Sequence, residues 1–344
     1  MQSTKTQFLV LLVFTVFFFV LSPQFFLPTE KIVEDSSTDN ISSPTPTETE
    51  VEDSSVEIIL TGDVMLGRSV MKKALELNDY SYPFVKVAPE LSKADLVFIN
   101  LENPIVKNCP IHEGGFKFCS PPESIEALLY AGVDVVSLAN NHSGNYGEKG
   151  IEETVNYLEN KGILVTGVGS LVIKEIGEMK FGFLGFDKAQ QTNPILTPIE
   201  TDLIKDSDSK VDILVVAMHW GVEYQNKALP GVRSLANQLV KTGADIVVGH
   251  HPHWVQDIEC FEISQGVKES TPPVWTSFAP QVNGCPKGSK IVYYSLGNFV
   301  FDQMWSEETK KGLAVRLTFG GKDIINQELL PIYISSVGQP EFVK

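Results

Sequence analysis

From Val56 onward the chain alternates short runs of Val, Ile and Leu with stretches whose apolar positions recur every three or four residues. VEIILTGD (Val56 to Asp63), ADLVFINLE, VDVVSLANN and ILVTGVG read as buried strands, because continuous apolar runs need cover on both faces. Ser69 to Leu77, ESIEALLYAG with its stop at Gly132, and EKGIEETVNYLENKG closed by Gly162 read as helices between them. KFGFLGF, VDILVVAMHW, ADIVVGHH and KIVYYSLGNFVF predict four further strands, with RSLANQLVKTGA a helix between the second and third of these. Strand and helix in alternation predict an α/β fold, with helices layered on a largely buried sheet. No internal repeat or second linker interrupts residues 56–344, so one domain is expected there.

Ahead of that domain the pattern changes. FLVLLVFTVFFFVLSPQFFL, Phe8 to Leu27, carries no charge and has the roughly 20-residue length that a membrane-spanning helix needs. Lys5 precedes it, and Glu30, Glu34 and Asp35 follow against Lys31 alone, which favours an inside amino terminus. No small-residue cleavage site follows Leu21, and no Cys follows the run to accept a lipid. Residues 1–27 are therefore expected to be an uncleaved transmembrane anchor, single-pass in the cell membrane, with the folded part extracytoplasmic. Residues 28–55, rich in Pro, Ser, Thr and acids, bury too little apolar surface to order and are expected to form a disordered linker.

Charge adds one exclusion. The chain carries a formal net charge of −16, and residues 28–55 hold eight acids against one Lys, or −7 of that total. Such an acidic chain argues against a nucleic-acid partner. The four cysteines, Cys109, Cys119, Cys260 and Cys285, suggest disulfides in an exported domain and allow three connectivities. Cys109 with Cys119 and Cys260 with Cys285 is the sequence-local choice. Free thiols are the alternative; without a CxxC pair, a thiolate zinc site is disfavoured.

The candidate chemistry lies where apolar runs stop. In open α/β sheets, ligands gather outside the carboxyl ends of the strands. Those ends read TGDVMLGR, INLENP, LANNHSGN, MHWGVEY, GHHPHW and SLGNFVFD, delivering Asp63, Glu102, Asn141 with His142, His219, and His251 with His253. Carboxylates and imidazoles together suit zinc, manganese or iron, one ion or two. A carboxylate from Glu102 has the chemistry to bridge two ions. His142 has the chemistry to protonate a leaving group, since imidazole titrates near working pH. His250 reads as a structural neighbour of the ligands.

GDVMLGR, NLENPI, SLANNHSGNYGEKGI, HWGVEY, GHHPHWVQDIE and YSLGNFVFDQ, in that order over roughly residues 57 to 305, resemble the CapA capsule-synthesis family, linked to poly-γ-glutamate capsules. The resemblance implies a metallophosphoesterase-like, four-layer αββα sandwich with two mixed sheets. It further implies a divalent metal held by Asp63, Glu102, Asn141, His219, His251 and His253, with His142 as the acid. It points to an anionic surface polymer and other capsule-synthesis membrane subunits as partners. Two positions depart from the superfamily pattern. Met65 stands where a His is expected two residues after Asp63, and Glu102 replaces a bridging Asp. Arg68 is expected to add a cation near the site, partly replacing metal charge. A metal-dependent, phosphoesterase-like hydrolase and a non-catalytic polymer-binding subunit are both compatible with these residues.

Overall fold

The computed structural model describes residues 55–262, 266–271, 274–276, 279–281 and 285–343. The anchor expected over residues 1–27 and the linker expected over 28–55, Ser55 apart, lie outside these described residues. Among the described residues no helix is long and apolar enough to cross a membrane.

Strands β1 (Val56–Val64), β2 (Leu96–Leu101), β3 (Val135–Ser137) and β4 (Leu164–Thr166) lie side by side in parallel. The chain then builds a second sheet from β5 (Val172–Ile176), β6 (Met179–Ala189), β7 (Ile213–Gly221), β8 (Ile246–His250), β9 (Ile258–Glu262) and β10 (Gly266–Thr271). A separate hairpin pairs β11 (Val274–Thr276) with β12 (Ala279–Gln281), and β13 (Lys290–Tyr293) returns between β9 and β8. Finally β14 (Asn298–Val300), β15 (Lys311–Gly320), β16 (Asp323–Ser336) and β17 (Gln339–Phe342) join the first sheet. Its order is β17-β16-β15-β1-β2-β3-β4, with β14 also paired to β1; the second runs β10-β9-β13-β8-β7-β6-β5. Both sheets mix parallel and antiparallel pairs.

Alternation along each central strand separates three interior layers. Ile59 of β1 and Val97 and Ile99 of β2 pack with helices α1 (Arg68–Leu77), α2 (Ala88–Leu91), α3 (Ile125–Tyr130) and α4 (Gly147–Glu159). Their strand neighbours Ile58, Leu60 and Phe98 face the other way, onto Phe183, Val215 and Val248 of the second sheet. Leu214, Val216 and Met218 of β7 then face α5 (Pro198–Asp208) and α6 (Pro230–Thr242). The result is helix, sheet, sheet, helix: the four-layer sandwich implied by the resemblance. Across the middle layer Phe98 stacks on Phe183 with ring centroids 5.7 Å apart, a geometry that contributes about 1 kcal/mol beyond burial.

One expectation is corrected. KIVYYSLGNFVF is two strands: β13 belongs to the second sheet and β14 to the first. The break falls at Gly297, whose φ of 67° turns the chain across the gap between the sheets, a left-handed conformation that glycine adopts without steric cost. Helix α5 was not expected: it is absent from the apolar pattern because Ile204 and Ser207 are the positions it buries. A capping box between Thr197 and Glu200, with Pro198 in the first turn, starts it instead. Both disulfides form in the sequence-local pairing, Cys109–Cys119 and Cys260–Cys285.

Candidate metal centre

Asp63, Glu102 and His219 come from the carboxyl ends of β1, β2 and β7, and all three are fully buried. One ligand atom from each lies within 4.8 Å of the others. Two sheets thus meet here, with Asp63 and Glu102 from the first and His219 from the second. Asp63 is also tied to the crossing segment: its N–H donates to the Gly297 carbonyl at 2.9 Å, and it lies in register with Asn298 of β14.

Burial makes the charges unequal. It acts to raise the Asp63 carboxyl, but the hydrogen bond from His253 Nδ1 to Asp63 Oδ2 at 3.1 Å, with the charges of nearby imidazoles, holds Asp63 well below the usual carboxylate range. Burial, then the charge of Asp63, pushes Glu102 well above its ordinary value. Burial, then the charge of His251, keeps His219 well below the ordinary imidazole value, and so neutral. Glu102 Oε2 is buried with no hydrogen-bond partner, a costly state for a carboxylate oxygen. Two carboxylate groups, one with an unpartnered oxygen, beside a neutral imidazole form a donor set that fits a divalent cation such as zinc, manganese or iron.

The other residues singled out in the sequence take different positions. Asn141 Oδ1 lies 3.0 Å from His219 Nε2, at the exposed edge of the cluster. The His219 and His251 rings are 4.8 Å apart, and those of His251 and His253 6.1 Å apart. His251 Nε2 lies 3.1 Å from Gln190 Nε2, while His250 turns inward, its Nε2 3.1 Å from the Thr61 carbonyl. His142 stands apart on the Phe118 ring, centroids 4.0 Å apart, with hydrogen bonds to Asn145 and the Phe116 carbonyl. Burial, then the charge of His253, lowers it to about 4; a neutral His142 accepts a proton before it can give one. Arg68 is not a free cation, because it forms an ion pair with Asp302 and lies 4.5 Å over the same Phe118 ring. Met65 is fully buried, and its Sδ accepts the Gly67 N–H at 3.0 Å.

Backbone strain is concentrated here. Among the described residues, six that are not glycine have left-handed φ: Arg68, Asn78, Gln190, Tyr224, His251 and His253. Asn78 closes α1. Gln190 and Tyr224 both touch the His251–Pro252–His253 turn, through His251 Nε2 and through the bond from Tyr224 N–H to the Pro252 carbonyl at 2.8 Å. Such residues cost roughly 1–3 kcal/mol each and persist where the surroundings over-determine them. The sequence reading missed Asn100, whose Nδ2 donates to Asp63 Oδ1 at 3.0 Å and to Glu102 Oε1 at 3.3 Å, and lies 3.4 Å from His219 Nδ1. Its signal was the two-residue spacing to Glu102, which puts both side chains on one face of the strand end.

Residues 57–303 match the family described as bacterial capsule synthesis protein PGA_cap. The chain is similar to the capsule biosynthesis protein CapA of Bacillus anthracis, 29% identical over 316 residues that cover 84% of this chain and 70% of that protein. It is likewise similar to the PGA biosynthesis protein CapA of Bacillus subtilis (strain 168), 29% identical over 273 residues covering 73% of this chain and 65% of that protein, which is under two thirds of its length. Among solved structures, a novel phosphatase from Mycoplasma pneumoniae aligns with a TM-score of 0.48 at 13% identity, covering 81% of this chain and 94% of that one.

Proposed function

The chain belongs to the bacterial capsule synthesis protein family, and from that premise we propose that it acts in the synthesis, export or anchoring of an acidic capsule polymer of the poly-γ-glutamate type. The observation that carries a chemical role for the site is the buried pair of Asp63 and Glu102 beside neutral His219, with Glu102 Oε2 unpartnered. Asp63, Glu102 and His219 would hold one divalent cation, with Asn141 at its exposed edge. When bound, that ion would supply positive charge to polarise an anionic group of the substrate. His142, neutral above about pH 4, takes up the proton of an attacking water and passes it to the leaving group, as a hydrolase of the phosphoesterase kind requires.

Met65 favours a second reading, in which the site binds the polymer without turning it over. The position expected to hold an imidazole is instead part of the apolar core under α1, so a second cation lacks that ligand. The cation then holds polymer carboxylates in place. In either reading, residues 1–27 anchor the chain in the membrane beside other capsule-synthesis subunits, with the folded domain extracytoplasmic. A reporter active only outside the cytoplasm, fused after Lys344, checks that arrangement, and an inactive fusion counts against it.

Elemental mass spectrometry of the purified full chain, beside Glu102→Gln, tests the metal. Stoichiometric zinc, manganese or iron in the parent and loss in the variant support the reading. A parent that stays free of metal after incubation with these ions overturns it. Release of product from phosphodiesters or from poly-γ-glutamate by the loaded parent then separates hydrolysis from binding.

A further inference from the structure

Two carboxyl groups buried side by side need something to hold them, and Asn100 does so from an orientation set elsewhere. Asn140 Oδ1 accepts the N–H of His142 at 3.1 Å and of Ser143 at 2.9 Å. Its Nδ2 therefore faces the other way, donating to the Leu101 carbonyl at 2.8 Å and to Asn100 Oδ1 at 3.1 Å. With backbone groups at both ends, the Asn140 amide cannot be turned over without losing its three bonds to the backbone. Asn100 inherits its direction: its oxygen is engaged by Asn140, so its NH2 points at the carboxylates. Both asparagines are buried, where such partners are costly to lose.

We propose that Asn100, oriented by Asn140, is a positioning residue that donates to Asp63 Oδ1 and Glu102 Oε1 and so fixes the two carboxylates around a single cation. The amide engages those two oxygens and leaves Glu102 Oε2 open. The relay also ties the loop that carries Asn141 and His142 to the carboxylate pair, through the two backbone N–H groups that Asn140 receives. This inference rests on the metal reading above.

The test is calorimetric titration of Zn2+ into the metal-stripped full chain, for the parent, Asn100→Leu, Asn140→Asp and the double variant. Residues that orient metal ligands are worth about 10–100-fold in affinity, and that loss is expected for Asn100→Leu. Asn140→Asp, with an acceptor where the donor was, turns the Asn100 amide around and should lose a similar factor. Because both act through one amide, the double variant should bind no more weakly than the weaker single variant. Asn100→Asp has the same shape and no donor, and serves if the Leu variant does not fold. It should unfold at a lower temperature than the parent without Zn2+ and recover when Zn2+ is added. Parent affinity in folded Asn100→Leu, losses that add in the double variant, or Zn2+-free Asn100→Asp as stable as the parent each overturn the relay and leave the metal reading standing. A parent that binds no Zn2+ overturns both.

Discussion

Met65 and His142 show how burial decides what a residue at a strand end can do. The Met65 side chain lies in the layer that also holds Val70, Phe118 and Phe299, and its sulfur accepts the Gly67 N–H. Restoring an imidazole by Met65→His thus inserts a polar ring into apolar surroundings. The expected result is a loss of about 2 kcal/mol in a urea titration, with no added metal in the purified variant. His142 and His251 are both lowered to about 4, chiefly by burial and then by the charge of His253. In the unfolded chain each titrates near 6.5. Between those values the unfolded chain binds protons that the folded one refuses, so their contribution is complete above pH 6.5 and lost as pH falls toward 4. Each is worth up to about 3 kcal/mol by that linkage. Thermal unfolding of metal-stripped protein at pH 7 and pH 4.5 should show the fall, and His142→Asn should make it shallower.

At the scale of elements, the crossing between sheets governs where the site forms. A Cβ on Gly62 would overlap the carbonyl oxygen of Gly297, which belongs to the crossing segment. Gly62→Ala is expected to cost 1–3 kcal/mol or more, by the usual penalty for overpacking, and to weaken cation binding along with stability. The first disulfide acts at the same scale. Residues 109–119 hold Phe118 between His142 and Arg68, and the Phe116 carbonyl accepts from Asn145 Nδ2 at 3.1 Å. Replacing Cys109 and Cys119 together by Ala should cost about 2–3 kcal/mol for a loop of this length, seen as a lower urea midpoint. The parallel strands were legible because they are buried on both faces and read as unbroken apolar runs. The crossing was not, since YYSLGNF is apolar on both sides of Gly297 and nothing in a local pattern says which sheet each half joins. The helix α5 was legible in principle: the Thr197 to Glu200 box is a local signal, whereas its buried face is too narrow for periodicity to show.

Across the whole molecule, three apolar layers hold the two sheets and the outer helices together. Phe98 sits in the middle layer, fully buried against Phe183, and Phe98→Ala should cost about 3–5 kcal/mol, measurable as a shift in the urea midpoint. The layered α/β character followed from strand and helix alternation, but β15 to β17 did not. They are antiparallel, and β16 in particular is half-exposed along most of its length, so no clear apolar run marks it. The site residues were legible as types at strand ends. Their grouping was not, because distances between the ends of β1, β2 and β7 depend on how two sheets pack.

The place of β1 has a consequence for the birth of the protein. Its neighbours are β2, made soon after it, and β14 and β15, which begin at residues 298 and 311. While the chain is still emerging from the ribosome, β1 has an open edge, and Asp63 lacks the Gly297 carbonyl that receives its N–H. The first sheet, though begun first, is finished last. A nascent chain therefore has a long interval in which an apolar strand waits for its partner, and the surroundings of Asp63 are complete only once Gly297 and Asn298 have been made.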